Sequence, residues 1–120
     1  MTEYPTDIFE RNPHSFEIRR NVDVDANIIK YCVEAIALVT RKYIIEPTSF
    51  TVDFCDVMHD TKTGLPVRAM AAYELGSNRF IFAVESEEFK RITGIYPVGV
   101  AILAGAHEAK HFAQQKRASV

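Results

Sequence analysis

The sequence has few cysteines and no segment with the composition of a leader. Of its 120 residues only two are cysteines, Cys32 and Cys55, and they form no C-x-x-C pair. The first residues, Met-Thr-Glu-Tyr-Pro, lack the charged and apolar regions of a signal peptide. We therefore expect two free thiols and a reducing, cytoplasmic setting.

Long apolar runs and basic clusters are also missing. No apolar stretch approaches the roughly 18 residues that a membrane-spanning helix needs. The net charge is −2 and the isoelectric point is about 6.1, with no basic stripe outside a few residues near the C-terminus. The sequence therefore predicts neither a membrane nor a nucleic acid as a partner.

The composition is that of an ordinary globular chain. Hydrophobic residues make up 48% of it and charged residues 25%, which is enough to close one core. No internal repeat and no linker divides the chain, so we expect a single domain over residues 1–120. Residues 1–13 are polar and punctuated by proline, and we expect them to be extended or poorly ordered.

Two elements are predicted in the first third of the chain. From His14 to Val24 apolar and polar residues alternate, with a break at Arg20, which predicts an edge strand or an extended arm. We interpret His14 as a solvated loop histidine. Asp25 then caps a helix that runs to about Ile45 and turns an apolar stripe to the core. The stripe consists of Ile28, Ile29, Cys32, Ala35, Ile36, Leu38, Val39 and Tyr43.

The next part of the chain has the pattern of β-strands. Residues 48–58 alternate between apolar and polar, as in a strand with one face on the core. Residues 67–75 and 78–85 flank Gly76-Ser77, a two-residue turn that suits a β-hairpin. A short helix capped by Ser86 follows.

The last predicted element is an apolar helix that becomes polar towards its end. It begins at Tyr96-Pro97, because proline suits the first helical turn, and it runs to about Gln115. Its polar part reads His107-Glu108-Ala109-Lys110-His111. The two histidines are four residues apart and share one face, with Glu108 at its margin. We expect both imidazoles to emerge from a buried element into a cleft.

The spacing is that of an HExxH zinc site. Two imidazoles one helical turn apart can both approach one Zn²⁺ to about 2.0 to 2.1 Å, and the glutamate is placed to take a proton from a water molecule at the ion. We therefore predict His107 and His111 as metal ligands and Glu108 as the catalytic base. The alternative is an amphipathic helix whose polar end carries these residues without a metal. No Ser/His/Asp or Cys/His nucleophile pattern and no phosphate-binding glycine loop is visible.

Residues 107–111 resemble the zinc-binding helix of the zincin metallopeptidases, and the stretch that leads into them is similar to minimal, gluzincin-like members. The resemblance implies a Zn²⁺-dependent hydrolase whose substrate is a peptide or a protein. It also implies that an extended peptide pairs with an exposed strand edge, for which residues 78–85 are our candidate. The alternative function is a non-catalytic, zincin-like interaction module without a complete metal site.

Zincins complete their metal site with a third protein ligand downstream of the motif. Residues 112–120 contain no histidine, aspartate or glutamate. The third ligand therefore comes from upstream, where His59 and Asp60 are the other neighbouring histidine and carboxylate, from a partner chain, or from residues outside this sequence, unless the site has none. The alternative interpretation of His59 and Asp60 is a solvated turn whose carboxylate accepts backbone N–H groups.

The order of the elements predicts an α+β fold. We expect a small, mainly antiparallel sheet with a long backing helix and the C-terminal motif helix packed on the same face. The resemblance makes this fold zincin-like. A glycine within a helix costs about 1 kcal/mol relative to alanine, so Gly105 predicts close packing of this helix, with Ala101, against the hairpin.

Overall fold

The computed structural model describes residues 4–67, 69–74, 77–93, 107–111 and 114. Seven strands and two helices are defined within these ranges, and residues 107–111 and 114 are also helical. We call residues 107–111 the histidine helix. The other elements are β1 (Asp7–Arg11), β2 (His14–Arg20), α1 (Ala26–Tyr43), β3 (Ser49–Cys55), β4 (Met58–His59), β5 (Pro66–Val67), β6 (Ala71–Glu74), β7 (Arg79–Ala83) and α2 (Glu87–Thr93).

Five strands form one sheet in the order β1-β2-β3-β7-β6, while β4 and β5 pair separately. The three central strands, β2, β3 and β7, run parallel to one another, and β1 and β6 are antiparallel to their neighbours. The prediction of a mainly antiparallel sheet is therefore wrong at its centre. Helix α1 carries the chain across from β2 to β3, and a parallel pair needs such a crossover.

Two segments predicted to lie at the edge of the sheet are internal. Strand β2, from the predicted arm, lies between β1 and β3, and β7, our candidate for the peptide-binding edge, lies between β3 and β6. The edges of the described sheet are β1 and β6. Strand β1 belongs to the segment expected to be extended or poorly ordered, and it is extended because it pairs with β2 from Asp7↔Ile18 to Arg11↔His14.

One face of the sheet is apolar and lies under the helices. Alternate residues of the three parallel strands point to this face, as a period of two requires. The fully buried ones are Phe16, Ile18, Phe50, Val52, Phe54, Phe80 and Phe82. Residues of α1 and Ala109 of the histidine helix belong to the same core cluster. Helix α1 and Ala109 of the histidine helix therefore share one core with the sheet, and the α+β class is confirmed.

Helix α1 confirms the predicted bounds to within two residues. The Asp25 carboxylate accepts a hydrogen bond from the Asn27 N–H at 2.8 Å, and Ile44 caps the other end. Two of the predicted stripe residues are exposed, Leu38 at 67% and Tyr43 at 38%. Leu38 lies nine positions after Ile29, about 180° around the helix from that buried residue, and Tyr43 is the last residue of the helix. Cys32 is fully buried in the stripe.

The two thiols and the hairpin agree with the predictions. Both cysteines are free. Strands β6 and β7 form the expected antiparallel hairpin, with Glu74 opposite Arg79. The predicted contact of Gly105 and Ala101 with this hairpin lies outside the described residues. No helix in the described part of the chain is both long and apolar enough to cross a membrane.

Candidate metal centre

The histidine helix turns its two histidines away from the core. Ala109 is fully buried and packs in the core cluster, whereas His107 and His111 are exposed. Successive residues of a helix are rotated by about 100°, so Ala109 lies roughly 160 to 200° from each histidine. Burial of Ala109 therefore puts the imidazoles on the outer face of the helix, and the expectation that they open into a cleft stays a prediction.

The two imidazoles nevertheless lie close together. Their Nε2 atoms are 2.9 Å apart, and the ring planes meet at 88° with centroids 4.5 Å apart. If both nitrogens bound one ion at about 2.05 Å, the N–Zn–N angle at this separation would be about 90°. A tetrahedral N–Zn–N angle requires the two nitrogens to be roughly 3.3 to 3.4 Å apart. A separation larger by about 0.4 Å would reach that value. At 2.9 Å one ring N–H can also donate a hydrogen bond to the other ring nitrogen, so the pair consists of two potential metal donors in hydrogen-bond contact.

Glu108 lies beside the pair and is buried. Glu108 is only 6% exposed. One of its carboxylate oxygens lies within 4.8 Å of a ring nitrogen of each histidine. Burial raises the pKa of the Glu108 carboxyl above its ordinary value, and the neighbouring His107 and His111 oppose this shift. A carboxylate with a raised pKa accepts a proton more readily than an exposed one, as a general base requires.

The structure brings together three of the predicted residues and leaves out the proposed upstream ligands. In the described ranges, the group of potential metal ligands around His107, Glu108 and His111 includes neither His59 nor Asp60. In the described residues, a metal ion at this group would therefore have two imidazole donors and one flanking carboxylate. A structural zinc site has four protein ligands and a catalytic one has three.

His59 and Asp60 form the solvated turn that was the alternative interpretation. Both are exposed, and the Asp60 carboxylate accepts hydrogen bonds from the N–H groups of Lys62 at 2.7 Å and Thr63 at 3.0 Å. The hydrogen bonds from Thr63 and Lys62 lower the pKa of the Asp60 carboxyl. This carboxylate therefore stabilises the turn.

His14 is buried, which corrects its interpretation as a solvated loop histidine. It is only 1% exposed, its ring meets the Phe50 ring edge to face at 5.4 Å, and its Nδ1 accepts a hydrogen bond from the Thr48 N–H at 3.2 Å. Strand β2 starts at His14 and pairs with β1, and this pairing draws the residue into the sheet. The alternating pattern in the sequence began only at His14, after Pro13, so it gave no sign of a strand before it that pairs with β2.

The opposite face of the sheet carries a polar pocket that sequence reasoning missed. It has a volume of about 460 Å³ and is lined by residues including Arg19, Asp53, Cys55, Arg79 and Ile81. The Arg79 guanidinium binds the Asp53 carboxylate at 2.5 Å and a second carboxylate, of the exposed Glu74, at 2.7 Å. The strict alternation of polar and apolar residues in β3 signalled a polar face, but the partner of Asp53 depends on the pairing of β3 with β7.

Comparison with known proteins gives no match. No protein-family model, no curated protein and no solved structure matches this chain. The resemblance to zincins is therefore carried by residues 107–111, and the function proposed below rests on the geometry of the histidine helix.

Proposed function

We propose that this chain is a Zn²⁺-dependent hydrolase that cleaves peptide bonds at the histidine helix. The observation that carries the proposal is the 2.9 Å approach of the His107 and His111 Nε2 atoms, with a Glu108 carboxylate oxygen within 4.8 Å of a nitrogen of each ring. Two imidazole nitrogens this close together can both be ligands of a single borderline ion such as Zn²⁺. The same three residues are the ones that the HExxH spacing selects.

The roles of the three side chains follow from their chemistry. His107 and His111 would hold the ion, and zinc, when bound, supplies Lewis-acid polarisation of a carbonyl and of water. Glu108 lies at the margin of the histidine face, and its carboxylate takes a proton from the attacking water. Its burial favours this role, because a partly desolvated carboxylate binds a proton more tightly than a solvated one.

The peptide would be received at the edge of the sheet. Strand β7 is internal and cannot pair with a peptide along a free edge. The candidate for the peptide-binding strand is instead β6, Ala71–Glu74, which lies at the edge of the sheet beside β7. An extended peptide added to an edge strand gains backbone hydrogen bonds irrespective of its side chains. We propose β6 as this strand.

A second function is favoured by the exposure of the metal pair. Catalytic zinc sites have three protein ligands and one open position, whereas two exposed imidazoles alone are a simple metal-binding patch. On this alternative the chain is a non-catalytic interaction module, with His107 and His111 binding metal without turnover.

Four proteins separate these functions. The parent, His111→Ala, Glu108→Gln and the control His59→Ala are prepared without a polyhistidine tag, loaded with Zn²⁺, desalted and assayed for metal content and for cleavage of a mixed peptide library. His59 is the matched control because it is exposed and lies outside the metal group. The hydrolase predicts that His111→Ala loses the metal. It also predicts that Glu108→Gln keeps the metal but loses about 10² to 10⁴ in cleavage rate.

The outcomes distinguish the functions directly. Metal bound by the parent with no cleavage of any peptide would support the non-catalytic module. Equal cleavage by the parent and by Glu108→Gln would remove Glu108 from the mechanism. A parent that stays metal-free in excess Zn²⁺ would exclude the hydrolase for this chain and leave an interaction module whose histidines bind no metal.

A further inference from the structure

The exposed histidine pair supplies half of a closed zinc site. Zinc in structural sites is almost always bound by four protein ligands in a tetrahedron. His107 and His111 offer two, and in the described ranges their group of potential ligands adds only the flanking Glu108. Two coordination positions therefore remain on the solvent side of the helix, where another molecule can reach them.

We infer that a second copy of this chain fills these two positions, so that one zinc ion joins two histidine helices through four imidazoles. The inference rests on the zinc binding proposed above and names the partner of the same site. Each copy already presents two Nε2 atoms 2.9 Å apart. Two such pairs facing each other across one ion provide the four nitrogen ligands that a tetrahedral site needs.

The shape of the helix suits this arrangement. His107, His111 and Gln114 are all exposed and lie within about 60° of one another around the helix, because they are spaced by four and three residues. The buried Ala109 lies on the opposite side and anchors the helix to the core. The face that carries these three exposed residues therefore points to solvent, while Ala109 holds the helix on the core.

A second copy is the partner that geometry favours. A two-fold axis through the ion makes the contact self-complementary, so the same pair serves both chains. The exposed Gln114 lies on the same face, where its amide can both donate and accept a hydrogen bond across the axis. Lys110 is exposed on the flank, and its long side chain can keep its charge in water.

The shared ion has a consequence for the hydrolase. Four imidazoles leave no open coordination position for water or for a substrate carbonyl. The zinc-joined dimer therefore cannot bind water or substrate at the ion, and any hydrolysis is carried out by the monomer. Association through zinc would then regulate the same three residues that carry the proposed reaction.

The test measures mass and metal content together. The full chain, purified without a polyhistidine tag, is treated with a chelator and then titrated with Zn²⁺ to one ion per two chains, and its mass is followed by light scattering during gel filtration. The expected result is a shift from 13.6 kDa to twice that mass, 2 × 13.6 = 27.2 kDa. Elemental analysis should find one zinc per two chains, and chelator should restore the single-chain mass.

The variants identify the ligands. His111→Ala should stay at the single-chain mass with zinc, whereas His59→Ala should associate like the parent. Co²⁺ added in place of Zn²⁺ should give the strong visible absorption of four-coordinate cobalt in the parent and lose it in His111→Ala.

Each other result contradicts the shared ion in a defined way. A single-chain mass with zinc bound to the protein would overturn the inference but leave the proposed zinc site standing. A chain that binds no zinc would overturn both. Association that survives the chelator, or that His111→Ala retains, would show that the contact does not depend on the histidines.

Discussion

The imidazole of His107 and the methyl group of Ala109 lie on opposite sides of one helical turn, the first exposed and the second fully buried. The core thus fixes the orientation of the helix through Ala109, and this orientation turns the two predicted metal ligands to solvent. The same contact couples the stability of the fold to the placement of the site.

Enlarging Ala109 should destabilise the protein. Ala109→Leu adds three carbons to a position with no exposed surface, and we expect a loss of about 1 to 3 kcal/mol in the free energy of unfolding through overpacking. The control is Lys110→Leu, at the exposed neighbouring position, which should change stability by less than about 0.5 kcal/mol. Urea unfolding measures both. Equal midpoints for the two variants would show that the helix does not pack through Ala109.

The buried thiol should make stability fall at alkaline pH. Burial raises the pKa of Cys32 from its ordinary value of 9.0 to about 12. The folded state therefore keeps this proton while the unfolded state releases it, so the contribution is complete below pH 9 and is lost as the pH rises from about 9 to 12. Cys32→Ala has no thiol to titrate, so its free energy of unfolding should not show this loss. The parent's advantage over the variant should therefore become smaller as the pH rises over this range. A constant difference from pH 8 to 11 would contradict the shift.

Thiol labelling should separate the two cysteines. Cys32 is fully buried and Cys55 is partly exposed, and burial raises the pKa of Cys55 as well, with Asp56 and Asp53 adding to the shift. In native protein at pH 8 we expect Cys55→Ser to show almost no reaction with Ellman's reagent and Cys32→Ser to react slowly. Both should react at once in 8 M urea. Rapid labelling of native Cys55→Ser would show that Cys32 is accessible.

The turn at Asp60 should lose stability in acid. Hydrogen bonds from Thr63 and Lys62 lower the pKa of the Asp60 carboxyl below its ordinary value of 3.8. Because the folded pKa is the lower one, the stabilisation is present above pH 3.8 and is lost as the pH falls through the folded pKa. NMR titration of the carboxyl carbon should give a midpoint under 3.8. Asp60→Asn keeps an acceptor oxygen and should remove this pH dependence, and a midpoint at or above 3.8 in the parent would contradict the prediction.

Proline substitutions should reveal which side of β6 faces its neighbour. The Ala83 N–H donates to the Met70 carbonyl at 2.9 Å, so in this antiparallel pair the next hydrogen-bonded position is Ala72 opposite Ile81. Proline at position 72 removes a ladder hydrogen bond, whereas proline at position 71 replaces an N–H that points away from β7.

Ala72→Pro should therefore cost about 0.5 to 1.5 kcal/mol more than Ala71→Pro in the free energy of unfolding. Chemical unfolding of the two variants beside the parent gives this difference. A larger loss for Ala71→Pro would reverse the assigned register. If β6 receives a peptide, Ala71→Pro should also raise KM for cleavage while the metal content stays constant.

The sequence by itself determined the local elements of this protein. Asp25 and the apolar spacing that follows it defined α1, alternation defined β3, and Gly76-Ser77 marked the hairpin, because capping, periodicity and turn chemistry act between residues close in the chain. The spacing of His107 and His111 likewise predicted that their rings lie close together, since one helical turn sets the distance between them.

Only the tertiary structure decided how these elements meet. The parallel pairing of β2, β3 and β7 depends on crossovers that strand patterns do not encode, and it moved the predicted edge strand to the inside of the sheet. Strand pairing buried His14, and it joined Asp53 to Arg79, 26 residues away. Burial of Ala109 turned the histidines to solvent. Each of these outcomes depends on contacts between distant segments, which local propensities and spacings do not specify.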